Sequence, residues 1–453
     1  MASPIDVWHG LLRPDVEQSA EWWQDFSAKM RQARLTFGDR LTCPFLRPFF
    51  LTHDEVDRVR HAAETMAVVG EKVVAAAMAD PSLLDELGLS DAERTLIAYA
   101  PGYDRASTAS RLDAFLLPDS LKFAEYNAES PAGLAYTESL ANTFDSTEIM
   151  ARFRERFDAT HFRLCDLALD ALIASYREWG GTASPPHIAI VDFRGVPTWN
   201  EFLIMKGQFE ARGVPTTVAD PRELEFDGSR LVVGGRAIDL VYRRALVNDI
   251  LAHPDETRAL VEAYAARAVC VANTFRCKIA HKKTFFAVLT DERFSDMFTG
   301  AERAVIDQHV PWTRVVCDRE TMLDGRPIDL LEHLRAHRDD FVVKPSDEYG
   351  GTGVTLGWEL DQSAWDAALE RAVVSDDVWI AQRRIAIRRE TFPIVATDPH
   401  RVEMRDMLVD FAPYLFRGRL AGFLTRLSAS GLANVTSGGG QVPSYVVSER
   451  GAR

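Results

Sequence analysis

The string SRLDAFLLPDSLKFAEYNAESPAG, residues 110–133, constrains the chain more than any other stretch. Two short apolar runs are broken by Pro118, Asp119 and Ser120, which reads as a β-hairpin. Side chains two apart on a strand share a face, so Arg111 with Asp113 and Glu125 with Asn127 can converge across it. Mg2+ takes hard oxygen ligands in octahedral geometry and leaves room for phosphates and water, a set that Asp113, Glu125 and Asn127 can supply. Arg111 would balance a phosphate or an oxyanion. A bare R-x-D or E-x-N is also what an exposed hairpin with ordinary charge pairs would carry.

A second constellation, FVVKPSDEYGGTGVTLG, ends an apolar strand at Lys344 and opens a loop at Gly350, Gly351 and Gly353. Glycines let backbone N–H groups approach phosphates without a Cβ in the way, and Lys344 adds a point charge. No Lys-Ser or Lys-Thr follows the last glycine, so this is not a P-loop, and no G-x-G-x-x-G pattern is present. A tight structural turn is the alternative. VWIAQRRI then offers Gln382 to an adenine, or is an ordinary edge strand. AGFLTRLSASGLANVTSGGG places Arg426 at a strand end before a polar loop with Asn434, Ser437 and Gly438 to Gly440, which as a bland linker would carry no function.

Around these motifs, residues from about 15 to 97 read as helices serving as a scaffold or lid. Trp22, Trp23, Phe26 and Met30 recur at helical spacing, and Thr52 with Glu55 forms a capping box. After a helix near 149–179 come GGTASPP, HIAIVDF, a helix to Gly213, TTVAD, a hairpin turned at Asp227 and Gly228, and IDLVYRR, an order that predicts an α/β domain. From about 255 the chain reads as helical to Leu289. FVVKP, VWIAQ, YLFRG and LAGFLTR then predict an antiparallel α+β unit.

A chain of 453 residues with 47% hydrophobic residues has room for about three domains with buried cores. Its net charge of -15, from 67 acidic and 52 basic side chains without a basic block, argues against nucleic acid as a partner. The start MASPIDVWHG lacks a basic region followed by an apolar core, and no run reaches the roughly 18 apolar residues that cross a bilayer, so the expectation is a cytoplasmic protein without membrane contact. Five cysteines without paired spacing, Cys43 among them, predict reduced thiols rather than zinc ligands, a disulfide framework or a nucleophile. His333 and His337 stand four apart, but without the HExxH order they predict a solvated helix face.

Taken together, AEYNAESPAG, IDLVYRRALVND, NTFRCKIAHKKTFFAVL, VVKPSDEYGGTGV, FLTRL and NVTSGGG resemble, in that order and over about 98–447, the circularly permuted ATP-grasp proteins, which include the synthetase domain of glutathionylspermidine synthase. The metal segment at 111–127 precedes the Lys344 segment, the reverse of the ordinary ATP-grasp order. The resemblance implies an α/β and α+β chain: a helical N-terminal region (1–97), the metal-binding part of the ATP-grasp domain (98–147), an α/β pre-ATP-grasp-like domain (148–254) and the ATP-binding part (255–453). It implies ATP and Mg2+ as cofactors, Asp113, Glu125 and Asn127 as metal ligands, and Arg111 and Arg426 as catalytic. Lys283, Lys344, Gly350, Gly351, Gly353 and Gln382 would bind the nucleotide.

The activity implied is that of a carboxylate–amine ligase working through an acyl phosphate. An ATP-grasp phosphotransferase and a catalytically inactive nucleotide-binding scaffold are the rivals. Ser130, Arg194, Arg243 and Arg244 are the candidate contacts to the small-molecule acid and amine, and a homodimer is the default oligomer.

Overall fold

The computed structural model describes residues 3–12, 16–395, 402–429 and 439–451. Its main antiparallel sheet runs Gly440–Val442, Arg419–Ser428, Val402–Phe416, Ala109–Leu116, Leu121–Asn127, and Arg388–Val395 pairs with the first half of the long strand Val402–Phe416. The predicted hairpin forms: the Leu117 amide donates to the Ser120 carbonyl over 2.8 Å and closes the turn. Arg111 then stands opposite Asn127 and Asp113 opposite Glu125, so both charged pairs share one face. On the other face lies the helix His53–Ala79, which starts with the predicted Thr52–Glu55 capping box and buries Val56, Val59, Ala63, Met66 and Val73. Gly70 lets it come close, since a Cβ there would stand 3.0 Å from the Tyr126 ring.

A second sheet is wholly parallel, in the order Cys270–Ala272, Leu240–Arg243, Ile188–Val191, Thr216–Ala219. Its strands are almost continuously apolar and buried, as strands covered on both faces must be. From Ile188–Val191 the chain moves one way to Thr216–Ala219 and the other way to Leu240–Arg243. The strand order therefore reverses between the Ile188 and Leu240 strands. The predicted hairpin at Asp227 and Gly228 joins Leu224–Phe226 to Leu231–Val233. The stretch 255–289 is not all helix: Cys270–Ala272 is the fourth strand of this sheet. Three buried residues are too few for any periodicity to separate strand from helix.

A third, antiparallel sheet runs Thr313–Val315, Trp379–Arg383, Phe341–Pro345, Thr355–Leu356 over a small core of Leu330, Leu334, Phe341, Val343, Trp365 and Leu369. The VWIAQ segment is thus a central strand, not an edge. The N-terminal region departs from the helical expectation at Phe49–Leu51, which pairs in parallel with Ser444–Glu449. Its partner lies almost 400 residues away, so no local pattern could announce it. Trp8, Phe26 and Met30 belong to the main core, and the Trp8 indole donates to the Leu46 carbonyl over 2.9 Å, which makes this region scaffold rather than lid. Among the described residues, no helix is long and apolar enough to cross a membrane.

Candidate active site

The hairpin supplies a preorganised charged face. Arg111 donates from Nε to Asp113 Oδ1 over 2.7 Å and from Nη2 to Oδ2 over 3.2 Å, while its Nη1 reaches the Ala132 carbonyl at 2.8 Å. Asn127 donates from Nδ2 to Glu125 Oε1 over 3.0 Å, which fixes both side chains and leaves the Asn127 carbonyl oxygen as an acceptor. Burial raises the Asp113 carboxyl, but the Arg111 and Arg426 guanidiniums outweigh it and hold Asp113 well below the ordinary carboxylate range. Asp113 is therefore ionised at any working pH.

Lys344 ends the strand Phe341–Pro345 and crosses to the hairpin, donating to the Ala124 carbonyl over 3.1 Å and to Gln382 Oε1 over 2.9 Å. The Gln382 amide is itself held, since Nε2 donates to Thr313 Oγ1 over 3.1 Å. Burial lowers the Lys344 ammonium to about 8, partly opposed by the nearby Glu125. Lys283, at the start of the helix Thr284–Thr290, donates to the Glu348 carbonyl and lies 3.7 Å from Glu125 Oε2. Lys283 rather than Lys282 is thus the lysine facing the hairpin, since Lys282 pairs with Glu93 and Asp347 instead. Gly350, Gly351 and Gly353 have φ of +66°, +83° and +73°, a left-handed conformation that costs other residues and that turns the loop over the strand ends.

Asp113, Glu125, Lys283, Lys344, Gly350, Gly351, Gln382 and Arg426 line one cavity of about 200 Å³, while Arg111, Asn127 and Gly353 stand behind its wall. Its apolar side, Phe115, Val342, Leu356, Ile385 and Ile387, was not anticipated, nor was Asp410. Phe115 could have been found, because it lies two residues beyond Asp113 and so on the same face. Asp410 had a weaker signal, a carboxylate inside the apolar run VDFAPYLF. Its strand pairs with that of Arg426, residue opposite residue. Arg426 donates from Nε to Asp410 Oδ2 and from Nη2 to Asp113 Oδ2, both over 2.5 Å. Asp410 is 2% exposed, its Oδ1 has no hydrogen-bond partner, and burial pushes its carboxyl up to about 7.

The three arginines of the parallel sheet do not form the expected carboxylate clamp. Arg194 is half-exposed and pairs with Glu223. Arg243 is fully buried, with Nη1 3.0 Å from Glu129 Oε1 and 2.6 Å from the Ala245 carbonyl, because a guanidinium in that interior needs a counter-charge. Arg244 donates to the Pro131 carbonyl over 2.6 Å, and Ser130 donates from Oγ to the Arg244 carbonyl over 2.7 Å. Both residues thereby fasten the 129–133 loop to the sheet. Asn434, Ser437 and Gly438 lie outside the described residues. His333 and His337 stack at 4.1 Å on one helix face, and burial pushes the Cys43 thiol up to about 12, so it is no nucleophile. Among the described residues, no group of three His, Cys, Asp or Glu side chains is placed to hold a metal ion. The candidate metal ligands are therefore two carboxylates and the Asn127 amide oxygen, a hard-oxygen set of the kind Mg2+ takes together with phosphates.

A Frankia alni protein named "Putative glutamate--cysteine ligase 2-3" is 27% identical over 296 residues, 61% of this chain and 31% of that relative, so the chain spans about a third of the relative's length. An uncharacterized protein of Mycobacterium tuberculosis is 23% identical over 352 residues, 72% of this chain and 57% of the relative. A glutathione synthetase-like effector from Globodera pallida superposes with a TM-score of 0.60 at 11% identity, covering 96% of this chain and 99% of that one, a likeness of fold. The circularly permuted ATP-grasp type 2 family matches residues 125–428, and with the Glu125 strand ahead of the Lys344 strand over one shared cavity, the chain belongs to that family.

Proposed function

We propose that the protein is an ATP-dependent carboxylate–amine ligase, releasing ADP and phosphate as it forms an amide bond. The observation that carries this reading is Lys344 reaching from its own sheet to the Ala124 carbonyl, which closes one cavity around the hairpin carboxylates, the glycine loop and Arg426. Gln382, Val342, Leu356 and Ile385 suit a base, while Lys283, Lys344 and the amides of Gly350 and Gly351 suit its phosphates. Asp113, Glu125 and Asn127 would hold Mg2+, which when bound neutralises charge on the phosphates. The domain division at residues 97, 147 and 254 is proposed on the same footing, with the parallel sheet reaching on to Ala272.

In this reading a substrate carboxylate attacks the γ-phosphoryl group in line and gives an acyl phosphate, and the amine then attacks the acyl carbon and expels phosphate. Arg111 and Arg426 would balance the charge that develops on the phosphoryl group and on the tetrahedral oxyanion. Both guanidiniums are held by Asp113, so they need no reorganisation as the reaction proceeds. No covalent enzyme intermediate is required, in keeping with the buried Cys43. The relatives named for glutamate–cysteine ligation support amino acids as the first substrates to try.

The test is ADP and phosphate release from ATP and Mg2+ with pools of amino acids, short peptides and polyamines. Release that requires an acid and an amine together supports the ligase. Release without an amine would make the protein a phosphotransferase, and ATP binding with no release from any pool would leave the scaffold reading.

A further inference from the structure

The polar stripe on the main sheet extends beyond the nucleotide cavity. Glu125 lies opposite Asp113, Asp410 opposite Arg426, and Arg426 opposite Gln441. The Asp113 and Asp410 strands are neighbours, joined through Phe411 and Ala114. Across the sheet the order is thus Glu125, Asp113, Asp410, Arg426, Gln441. Lys344 enters at the Glu125 end, so the nucleotide phosphates belong there.

From the cavity wall toward the opposite end two polar atoms have no partner, Asp410 Oδ1 on that wall and Gln441 Nε2 beyond it. Their residues are 2% and 4% exposed. A buried carboxylate oxygen and a buried amide N–H left unmet are both costly, so each is a vacant half of a hydrogen bond. They flank Arg426 from the two neighbouring strands, with backbones two strand spacings apart, about 10 Å. One is a carboxyl oxygen that an ammonium beside it would hold ionised, and the other a neutral donor. Arg111 and Arg426 balance Asp113 and Asp410, so this part of the stripe is neutral and matches a ligand without net charge. A zwitterion that sets an ammonium beside a carboxylate meets both vacancies; a polyamine would bring positive charge that nothing balances. A second metal ion is disfavoured between the two aspartates, because the Arg426 guanidinium already stands there.

We propose that Asp410 and Gln441 bind the amine substrate, and that it is an α-amino acid with its ammonium on Asp410 and its carboxylate on Gln441. The inference rests on the ligase reading and names the class of the second substrate. It separates the two ends of the stripe: Glu125 and Lys344 serve the nucleotide, Asp410 and Gln441 the nucleophile.

The test uses the full chain with ATP, Mg2+ and a pool of the twenty standard amino acids, which supplies both acid and amine. ADP release is measured with the pool alone, and hydroxamate formation with added hydroxylamine, a nucleophile that is uncharged at neutral pH and needs no ammonium site. Asp410→Asn is expected to lower pool-dependent ADP release about 50-fold and Gln441→Ala about tenfold, through a raised KM, with hydroxamate formation kept within about threefold in Gln441→Ala. Parallel loss of both readouts in Gln441→Ala would overturn the proposal. Gln441→Ala leaves the Arg426 ion pairs intact, so it decides the matter if Asp410→Asn fails to fold. An amide of spermidine formed by the unaltered protein when spermidine is added to the pool would overturn the zwitterion assignment. An unaltered protein that yields neither ADP nor hydroxamate would contradict the ligase reading itself.

Discussion

Glu129 and Asp410 are both carboxylates buried beside arginine, yet their surroundings drive them in opposite directions. Glu129 lies 3.0 Å from Arg243, 3.6 Å from Lys278 and 3.7 Å from His281, and also accepts from the Val247 amide. Burial raises its carboxyl, but Lys278 and Arg243 outweigh that and bring it down to about 2. Asp410 shares Arg426 with Asp113 and is pushed by burial up to about 7, although each carboxylate keeps one oxygen without a hydrogen bond, Glu129 Oε2 and Asp410 Oδ1. The same ingredients make a clasp where Arg243 and Lys278 both face Glu129, and a receptive site where Arg426 alone pairs with Asp410. Burial of charge alone therefore does not mark a functional site; the count of partners does.

The comparison breaks hardest at Glu129. Glu129→Ala leaves Arg243 in the interior without its counter-charge, while Lys278 keeps Asp347 and Glu93, and is expected to destabilise the protein by about 3–5 kcal/mol in urea unfolding. A loss under 1 kcal/mol would show that the clasp is not structural. The ligand side sharpens with pH. Lys344 carries its charge below about 8 and loses it above, so ATP affinity by titration calorimetry is expected to fall about tenfold from pH 7 to pH 9. A flat profile would remove Lys344 from the phosphates. The smallest effect belongs to Arg194, whose exposed pairing with Glu223 belongs to neither class. Arg194→Ala is expected to change stability by less than about 0.5 kcal/mol and to leave ADP release unaltered.

Much of the cavity was legible because its parts are local. Arg111, Asp113, Glu125 and Asn127 follow from the period of two along a hairpin, and the glycines after Lys344 follow from backbone conformation. What escaped was long-range. Asp410 gains meaning only from the strand that brings Arg426 opposite it, and Phe49–Leu51 only from pairing near residue 444. The arginines at the end of IDLVYRR read as a clamp because strand ends of parallel sheets bind ligands. The Glu129 loop, more than 100 residues earlier, instead takes both of them.

The central claim is that the hairpin carboxylates hold a divalent cation against ATP in the Lys344 cavity. The direct measurement is ATP binding by calorimetry, with and without Mg2+, to the unaltered protein and to Glu125→Ala. Mg2+ is predicted to strengthen ATP binding at least about tenfold in the first and not in the second, with the ligand-free melting temperature shared, because the change removes an oxygen ligand and no core volume. Full Mg2+-dependent binding by Glu125→Ala would contradict the account.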